Sequence, residues 1–138
     1  MTKEVEIKYS SRNYKKTDVI SKCVKELESN DFEYKTTGLL TIDENKEMEL
    51  FFFDNNKRYT YIHYYENTLS IGTVSEPNLF TCCSNKVTPY KINTEYGYIT
   101  VNIITLNINV TEELIYVQYS IEENPESIFE ITIELEWF

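Results

Sequence analysis

The chain has 138 residues, of which 41% are hydrophobic and 14% aromatic, and its formal net charge is -10. A chain of this length normally forms one domain with its own core, so we expect a single domain over residues 1–138. The composition is too apolar for a disordered chain, and no apolar run is long enough to cross a membrane. Because the acidic field would repel phosphate groups, we expect no nucleic acid and no membrane among the partners.

The amino terminus and the cysteines bear on the cellular compartment. Residues 1–6 contain no basic stretch followed by an apolar one, which a secretory signal would need. Cys23 stands alone, and Cys82 and Cys83 are adjacent, so the thiols lack the spacing of a disulfide framework. We therefore expect reduced thiols and a cytoplasmic protein.

The first two predicted elements differ in their periodicity. Val5, Ile7 and Tyr9 alternate with charged residues, which predicts a strand with one face on a core. In residues 18–28 the apolar side chains recur at helical spacing, and Thr17 or Asp18 can cap the first amides. The sequence therefore predicts one short amphipathic helix near residues 18–28.

From residue 31 onward the pattern is that of β-strands. Residues 32–42 alternate over a length that is unusual for one strand, with Gly38 where a curved strand would bend. Residues 48–53 continue the alternation, and Asp54 opens a turn. A two-residue hairpin turn at Glu66-Asn67 would place Tyr64 opposite Leu69, Ile62 opposite Ile71 and His63 opposite Ser70.

The carboxyl-terminal half continues as strands. Two strands are predicted at about 79–84 and 86–93, and a change of phase at Ile103-Ile104 predicts a β-bulge. Residues 115–121 and 129–137 then alternate as two last strands. Consecutive strands with short connections favour an all-β fold, namely an antiparallel up-and-down β-barrel of about eight to ten strands.

Several segments resemble a known family. Residues 32–42 with Thr36-Thr37-Gly38, residues 50–54, the hairpin at 58–74 and, above all, residues 93–97 (Asn-Thr-Glu-Tyr-Gly) are similar to the YwiB-like family of small uncharacterised bacterial proteins, over residues 31–137. The sequence departs from the family pattern at Asp54, which follows the aromatic pair in place of Glu, and at Thr73-Val74-Ser75, in place of Arg-x-Gly. The resemblance implies a calycin-like barrel, similar to lipocalins and fatty-acid-binding proteins. It implies no particular activity, because function belongs to sites rather than to folds.

Residues with catalytic or metal-binding potential are few. The chain has no P-loop, dinucleotide fingerprint, nucleophile elbow or zinc-protease motif, so we expect no enzyme, no cofactor and no metal. Its only histidine, His63, is predicted to lie on the outer face, and an enzyme would depend on His63 or Asp54. Cys82 and Cys83 point to opposite faces of a strand and cannot share a tetrahedral metal site.

Inward-facing aromatic residues are the main functional indication. Such rings either fill a barrel of this size or line a cavity for one small ligand. Buried tyrosine hydroxyls need partners, which favours a cavity for a small apolar or amphipathic ligand whose polar end the hydroxyls orient. The predicted lining residues are Tyr34, Phe52, Tyr64, Tyr119 and Trp137.

An interaction or assembly module is the alternative. If the last strand pairs with the first, an acidic outer face would form from Glu4, Glu6, Glu130, Glu134 and Glu136. This face would bind a basic protein, hold a divalent cation or simply be solvated. The outer aromatics Phe51, Phe53, Tyr61 and Tyr65 would instead support a homodimer.

Overall fold

The fold is all-β. The computed structural model describes residues 1–15, 31–74 and 79–137, and these ranges contain ten strands and no helix. The predicted helix at 18–28 lies outside the described residues. No helix among the described residues is long and apolar enough to cross a membrane. The strands are β1 (Thr2–Lys15), β2 (Phe32–Ile42), β3 (Met48–Phe53), β4 (Tyr59–Tyr65), β5 (Thr68–Thr73), β6 (Phe80–Cys83), β7 (Val87–Thr94), β8 (Gly97–Val110), β9 (Leu114–Ile121) and β10 (Asn124–Trp137).

The strands form a nearly closed antiparallel barrel. Their order is β6-β5-β4-β3-β2-β1-β10-β9-β8-β7, so consecutive strands are neighbours and the first strand pairs with the last. The two edge strands, β6 and β7, contact each other, and the Thr88 hydroxyl donates to the Thr81 carbonyl oxygen at 2.5 Å. An up-and-down arrangement of this kind was expected from the short connections between strands.

Up-and-down connectivity gives the barrel two distinct ends, because successive connections lie at opposite ends. We call them the Asp54 end and the Glu47 end after a turn at each. The Asp54 end carries Lys15, Asp31, Val74, Leu79 and the connections at 54–58, 95–96 and 122–123. The Glu47 end carries Met1, Trp137 and the connections at 43–47, 66–67, 84–86 and 111–113.

The core lies inside the barrel and is built from alternate residues of the strands. Full burial of a Val, Leu, Ile or Phe side chain stabilises the folded state by about 1.5–3 kcal/mol relative to leaving that side chain exposed. Alternation therefore determines which face of each strand turns inward. The most completely buried side chains include Val5, Ile7, Leu40, Leu50, Phe52, Ile62, Leu69, Ile103, Ile115, Val117 and Ile133.

The hairpin of β4 and β5 has the predicted register. Tyr64 pairs with Leu69, Ile62 with Ile71 and His63 with Ser70. Its turn residues, Glu66 and Asn67, have φ values of 48° and 62°. Two successive positive φ angles are typical of a type I′ turn, whose twist matches that of the strands that it joins.

The bulge in β8 lies at a different position from the prediction. Pairing is regular at Ile103 and Ile104, and the register shifts between Thr105 and Asn107 instead. Leu106 is the extra residue and is 47% exposed. The sequence could not locate the slip, because apolar residues occur on both faces of this strand. The prediction of a bulge at Ile103-Ile104 was therefore wrong by about three positions, counted along the strand.

Two turns, one at each end, share the same geometry. Residues 43–47 and 54–58 both read Asp-x-Asn-Lys-x. In each turn the aspartate Oδ1 accepts the amides two and four residues later, at 2.9–3.0 Å. The last residues differ, because Arg58 returns to Asp54 whereas Glu47 contacts His63. The same turn geometry therefore places a positive side chain, Arg58, at one end of the barrel and a negative side chain, Glu47, at the other.

Candidate ligand-binding site

A cavity of about 560 Å³ opens at the Asp54 end of the barrel. Its volume lies within the range of about 300–1,000 Å³ that small-molecule sites usually have. Six aromatic residues line it, together with polar residues of the 54–58 turn and with Asp31, Thr60 and Thr73. The aromatic lining residues are Tyr9, Phe32, Tyr34, Phe52, Phe80 and Tyr90.

One wall of the cavity is a stack of rings from β1 and β2. The ring centroids of Tyr9 and Tyr34 are 5.0 Å apart with an interplanar angle of 19°. Phe32 stacks on both, at 5.9 Å from Tyr9 and 6.2 Å from Tyr34. The register of the two strands explains the stack, because Tyr34 pairs directly with Tyr9. Such offset stacks form a rigid apolar surface on which a flat or aliphatic ligand can lie.

The opposite wall comes from the two edge strands. Phe80 of β6 meets Tyr90 of β7 edge to face, with centroids 5.3 Å apart. Behind them, Tyr119 lies 4.7 Å from Phe80 and stacks on Phe129 at 5.1 Å. The aromatic cluster therefore bridges the place where the barrel closes.

The polar rim is organised by Asp54. Its carboxylate accepts the amides of Asn56 and Arg58 and the Nε of Arg58, the last at 3.0 Å. Burial acts to raise the pKa of Asp54, but the hydrogen bonds from Arg58 and Asn56 and the charge of Arg58 together lower it. The Asp54 side chain is only 10% exposed, whereas Arg58 is 58% exposed. An ionised carboxylate therefore holds a guanidinium that reaches solvent beside the cavity.

The tyrosine hydroxyls of the wall are neutral at physiological pH. Burial, reinforced by the charge of Asp54, raises the pKa of Tyr9 to about 12. Burial and the nearby Tyr9 and Asp54 raise the pKa of Tyr34 as well. Each hydroxyl can therefore both donate and accept a hydrogen bond to a ligand atom.

Two of the five predicted lining residues line this cavity. Tyr34 and Phe52 line the cavity, and Tyr119 supports it from behind Phe80. Tyr64 lies towards the Glu47 end and its hydroxyl donates to Asn67 Oδ1 at 3.3 Å. Trp137 also lies at the Glu47 end, is 55% exposed, and has the Lys3 ammonium 2.7 Å from its ring centroid.

Sequence reasoning missed part of the lining. Tyr9 was recognised as an inward residue of β1, but its place at the cavity depends on which end of the strand is open. Phe80 and Tyr90 lie on short edge strands in which alternation is weak, and Arg58 belongs to a turn. The signal that could have found Arg58 is the repeated Asp-x-Asn-Lys-x turn.

The other candidate groups lie apart from the cavity. His63 is on the outer face, as predicted, and its Nε2 lies 2.5 Å from Glu47 Oε1. Cys82 and Cys83 are both free, and burial raises the pKa of the Cys82 thiol to about 12. A buried thiol that stays protonated is a structural group rather than a nucleophile.

The outer face of β1 and β10 is mixed in charge rather than uniformly acidic. The two strands pair as the interaction hypothesis required, with Glu6 opposite Glu136. However, the same register places Lys8 opposite Glu134 and Arg12 opposite Glu130. The Glu130 carboxylate also accepts hydrogen bonds from Tyr14 and Gln118. This face is therefore less suited to a basic partner than the sequence indicated.

A second outer surface is apolar. We call it the outer aromatic patch, which lies on β2, β3 and β4. Phe53 is 58% exposed and stacks on Tyr59 with centroids 5.0 Å apart. Tyr59 is 44% and Leu39 45% exposed, whereas Phe51 and Tyr61 are partly buried. A contiguous apolar surface of this kind is a candidate interaction site. The patch consists of Leu39, Phe51, Phe53, Tyr59 and Tyr61.

Comparison with known proteins adds information on the fold. No family model matches the sequence, and no curated protein matches it. The crystal structure of the YwiB protein from Bacillus subtilis is similar, with a TM-score of 0.71 at 14% sequence identity. The similarity covers 99% of this chain and 93% of that one. The chain therefore has the barrel fold of YwiB, as the sequence resemblance predicted.

Proposed function

We propose that this protein is a non-catalytic binding barrel that takes up one small apolar or amphipathic ligand at the Asp54 end. The observation that carries the proposal is the cavity of about 560 Å³, whose lining combines six aromatic rings with polar side chains of the 54–58 turn. This mode of binding is lipocalin-like, since the ligand enters the mouth of a barrel between side chains of several strands. A bacterial origin and a cytoplasmic location belong to the same proposal.

The chemistry of the cavity supports an elongated ligand with one polar end. The stacked rings of Tyr9, Phe32 and Tyr34 offer apolar surface, whose removal from water contributes about 25 cal/mol per Å². The exposed guanidinium of Arg58 at the rim and the neutral Tyr9 hydroxyl in the wall supply hydrogen-bond donors. A ligand with an apolar body and an oxygen-bearing polar end fits both parts of the site.

The test is a binding titration with a reporter at the cavity. Trp137 lies at the opposite end, so we expect its emission to stay unchanged when dodecanoate or an anilinonaphthalene dye binds. A Phe32→Trp substitution in a Trp137→Phe background places the only tryptophan at the rim, where Phe32 is 41% exposed. We expect ligand to change the emission of this variant and not that of the parent protein.

Matched variants separate the cavity from the rest of the surface. Tyr34→Ala removes a lining ring and should weaken dye binding about tenfold, and Tyr34→Phe should weaken binding of a polar ligand by a smaller factor. Tyr59→Ala removes a ring of the outer aromatic patch and is the control. Dye binding that survives Tyr34→Ala and is lost in Tyr59→Ala would refute the cavity proposal.

An assembly role is the second candidate, and the outer aromatic patch favours it. Two copies that cover this patch would bury Phe53 and Tyr59, which are 58% and 44% exposed in the single chain. Sedimentation equilibrium tests this candidate directly. A dimer that dissociates in Phe53→Lys, with unchanged dye binding, would support assembly through the patch.

A further inference from the structure

His63 is brought next to two carboxylates on the outer face near the Glu47 end. The ladder between β3 and β4 pairs Glu49 directly with His63. Glu47 is the last residue of the turn before β3, and its Oε1 lies 2.5 Å from His63 Nε2. The three side chains offer one imidazole nitrogen and two carboxylate oxygens, which all lie within 4.8 Å of one another.

The spacing of these atoms is close to that of a metal centre. Tetrahedral zinc with ligands at about 2.0–2.1 Å needs ligand atoms about 3.3 Å apart. His63 Nε2 and Glu47 Oε1 are already 2.5 Å apart, and the largest separation in the group is below 4.8 Å. Small rotations of the two glutamate side chains would therefore complete the geometry, without movement of the strands.

Both elements that carry the ligands are fixed. Asp43 accepts the amide of Glu47 at 3.0 Å, which holds the turn that positions this glutamate. Glu49 and His63 lie inside regular ladder pairs whose inward neighbours Leu50 and Ile62 are buried in the core. Ligands on rigid elements lose less freedom when they bind an ion than ligands on a loop do.

We propose that Glu47, Glu49 and His63 bind one divalent transition-metal ion, with zinc as the best fit. A neutral imidazole with two carboxylates suits zinc and its neighbours, whereas calcium and magnesium prefer six or more oxygen ligands. The site is open, since the side chains of His63 and Glu47 are 32% and 38% exposed. Water or a ligand atom from another molecule would occupy the remaining coordination positions.

The imidazole distinguishes this group from the acidic residues elsewhere on the surface. Glu6 and Glu136 also form a cross-strand pair, but the described residues of β1 and β10 that surround this pair include no histidine. His63 is the only histidine in the chain, so its ring signals report on one site. The site is at the other end of the barrel from the aromatic cavity, and the two proposals can fail independently.

The experiment is a calorimetric titration of the untagged protein with zinc, followed by nuclear magnetic resonance of the His63 ring. We expect one ion per chain and a shift of the His63 ring nitrogens on zinc addition. His63→Gln and Glu49→Gln should each weaken binding at least about tenfold, since each removes one of three ligands. Calcium and magnesium at the same concentration should leave the ring signals in place.

Two controls keep the outcome decisive. Glu136→Gln removes the same charge from an exposed position and should leave zinc affinity within about twofold. Cys83→Ser removes a half-buried free thiol of the described residues that could also bind zinc. Because Glu49 is exposed, Glu49→Gln should fold even if His63→Gln does not. Undiminished zinc binding in Glu49→Gln, zinc binding that vanishes in Cys83→Ser, or equal binding of calcium would overturn the proposal.

Discussion

Asp54 and Asp43 hold their turns with the same two amide hydrogen bonds, but only the turn of Asp54 ends in an arginine. A comparison of the two turns therefore separates the contribution of the Asp54–Arg58 ion pair to stability from the contribution of turn geometry. The Asp54 carboxylate has a lowered pKa and a nearly buried side chain, whereas its partner Arg58 extends into water. The stability of this end of the barrel should consequently depend on pH.

Asp54→Asn tests this dependence. The asparagine can still accept the two amides but loses the charge, so we expect a loss of about 1 kcal/mol in the free energy of unfolding at pH 7. Because the pKa of Asp54 is lowered in the folded protein, its carboxylate stabilises the fold at pH values above the ordinary pKa of 3.8. This stabilisation is lost as the pH falls through the folded-state pKa. The difference between the variant and the parent protein should therefore shrink at acid pH.

Urea unfolding at several pH values provides the measurement, and Asp43→Asn is the control for turn geometry. At neutral pH we expect Asp43→Asn to cost less than Asp54→Asn, because residue 47 is not an arginine. A loss in Asp54→Asn that is the same at pH 7 and at acid pH would show that charge plays no part.

Among the strands, β2 lies very close to β1 and β3 at Gly38. A Cβ atom at Gly38 would lie 2.4 Å from the Phe51 carbonyl oxygen and 2.8 Å from Ile7 Cδ1. The first of these atoms is backbone and cannot move without disturbing the β2–β3 ladder. Glycine is therefore required here by close packing and not by a turn.

Gly38→Ala should lower the free energy of unfolding by about 1–3 kcal/mol, the usual cost of overpacking. Gly72→Ala is the matched control, since its Cβ would meet Leu79 Cδ2 at 2.5 Å, the end of a flexible side chain. We expect a smaller loss there. Thermal unfolding followed by circular dichroism measures both, and equal losses would contradict the packing argument.

The strand pattern was readable from the sequence where one face is buried and the turn is specific. The Glu66-Asn67 hairpin had one register that matched apolar with apolar residues, and the structure has that register. In β8 both faces carry apolar residues, so periodicity indicated a bulge but not its position at Leu106. Periodicity also predicted an inward face for Trp137, but not that this residue is 55% exposed at the Glu47 end.

The candidate sites were less readable because they combine distant elements. The stack of Tyr9 on Tyr34 depends on the β1–β2 register across the undescribed residues 16–30, and periodicity does not fix that register. To predict the group around His63 from the sequence, one would need both the β3–β4 register and the side-chain direction of Glu47, a turn residue. Residue types were visible in the sequence, whereas their convergence was a property of the fold.

At the scale of the whole molecule, the buried tyrosines couple folding to alkaline pH. Burial raises the pKa of Tyr9 to about 12 and raises that of Tyr34 and of Tyr119 also. A tyrosine whose pKa is raised in the folded state contributes its full stabilisation of the fold at pH values below its ordinary pKa of 10.0. That stabilisation is lost as the pH rises towards the folded-state pKa. The barrel should therefore lose stability above about pH 10.

Tyr9→Phe should shift the alkaline unfolding midpoint upward, because it removes one group whose ionisation favours the unfolded chain. Phenolate absorbance and far-ultraviolet circular dichroism, recorded in one titration, test this expectation. In the parent protein the absorbance change from the buried tyrosines should coincide with the change in circular dichroism, whereas exposed tyrosines such as Tyr96 ionise without unfolding. A lower midpoint in Tyr9→Phe would mean that its lost hydroxyl interactions outweigh the linkage.

The place where β6 meets β7 has a kinetic consequence. No backbone ladder joins these strands among the described residues, so their facing amides should exchange with deuterated solvent sooner than those of β1 and β10. Phe80 and Tyr90 meet across this line and also form the cavity wall. Separation of the two edges would widen the cavity sideways, and ligand uptake would then reach a limiting rate set by that opening. Stopped-flow binding rates that level off with ligand concentration, at the rate of amide opening in β6 and β7, would identify this route.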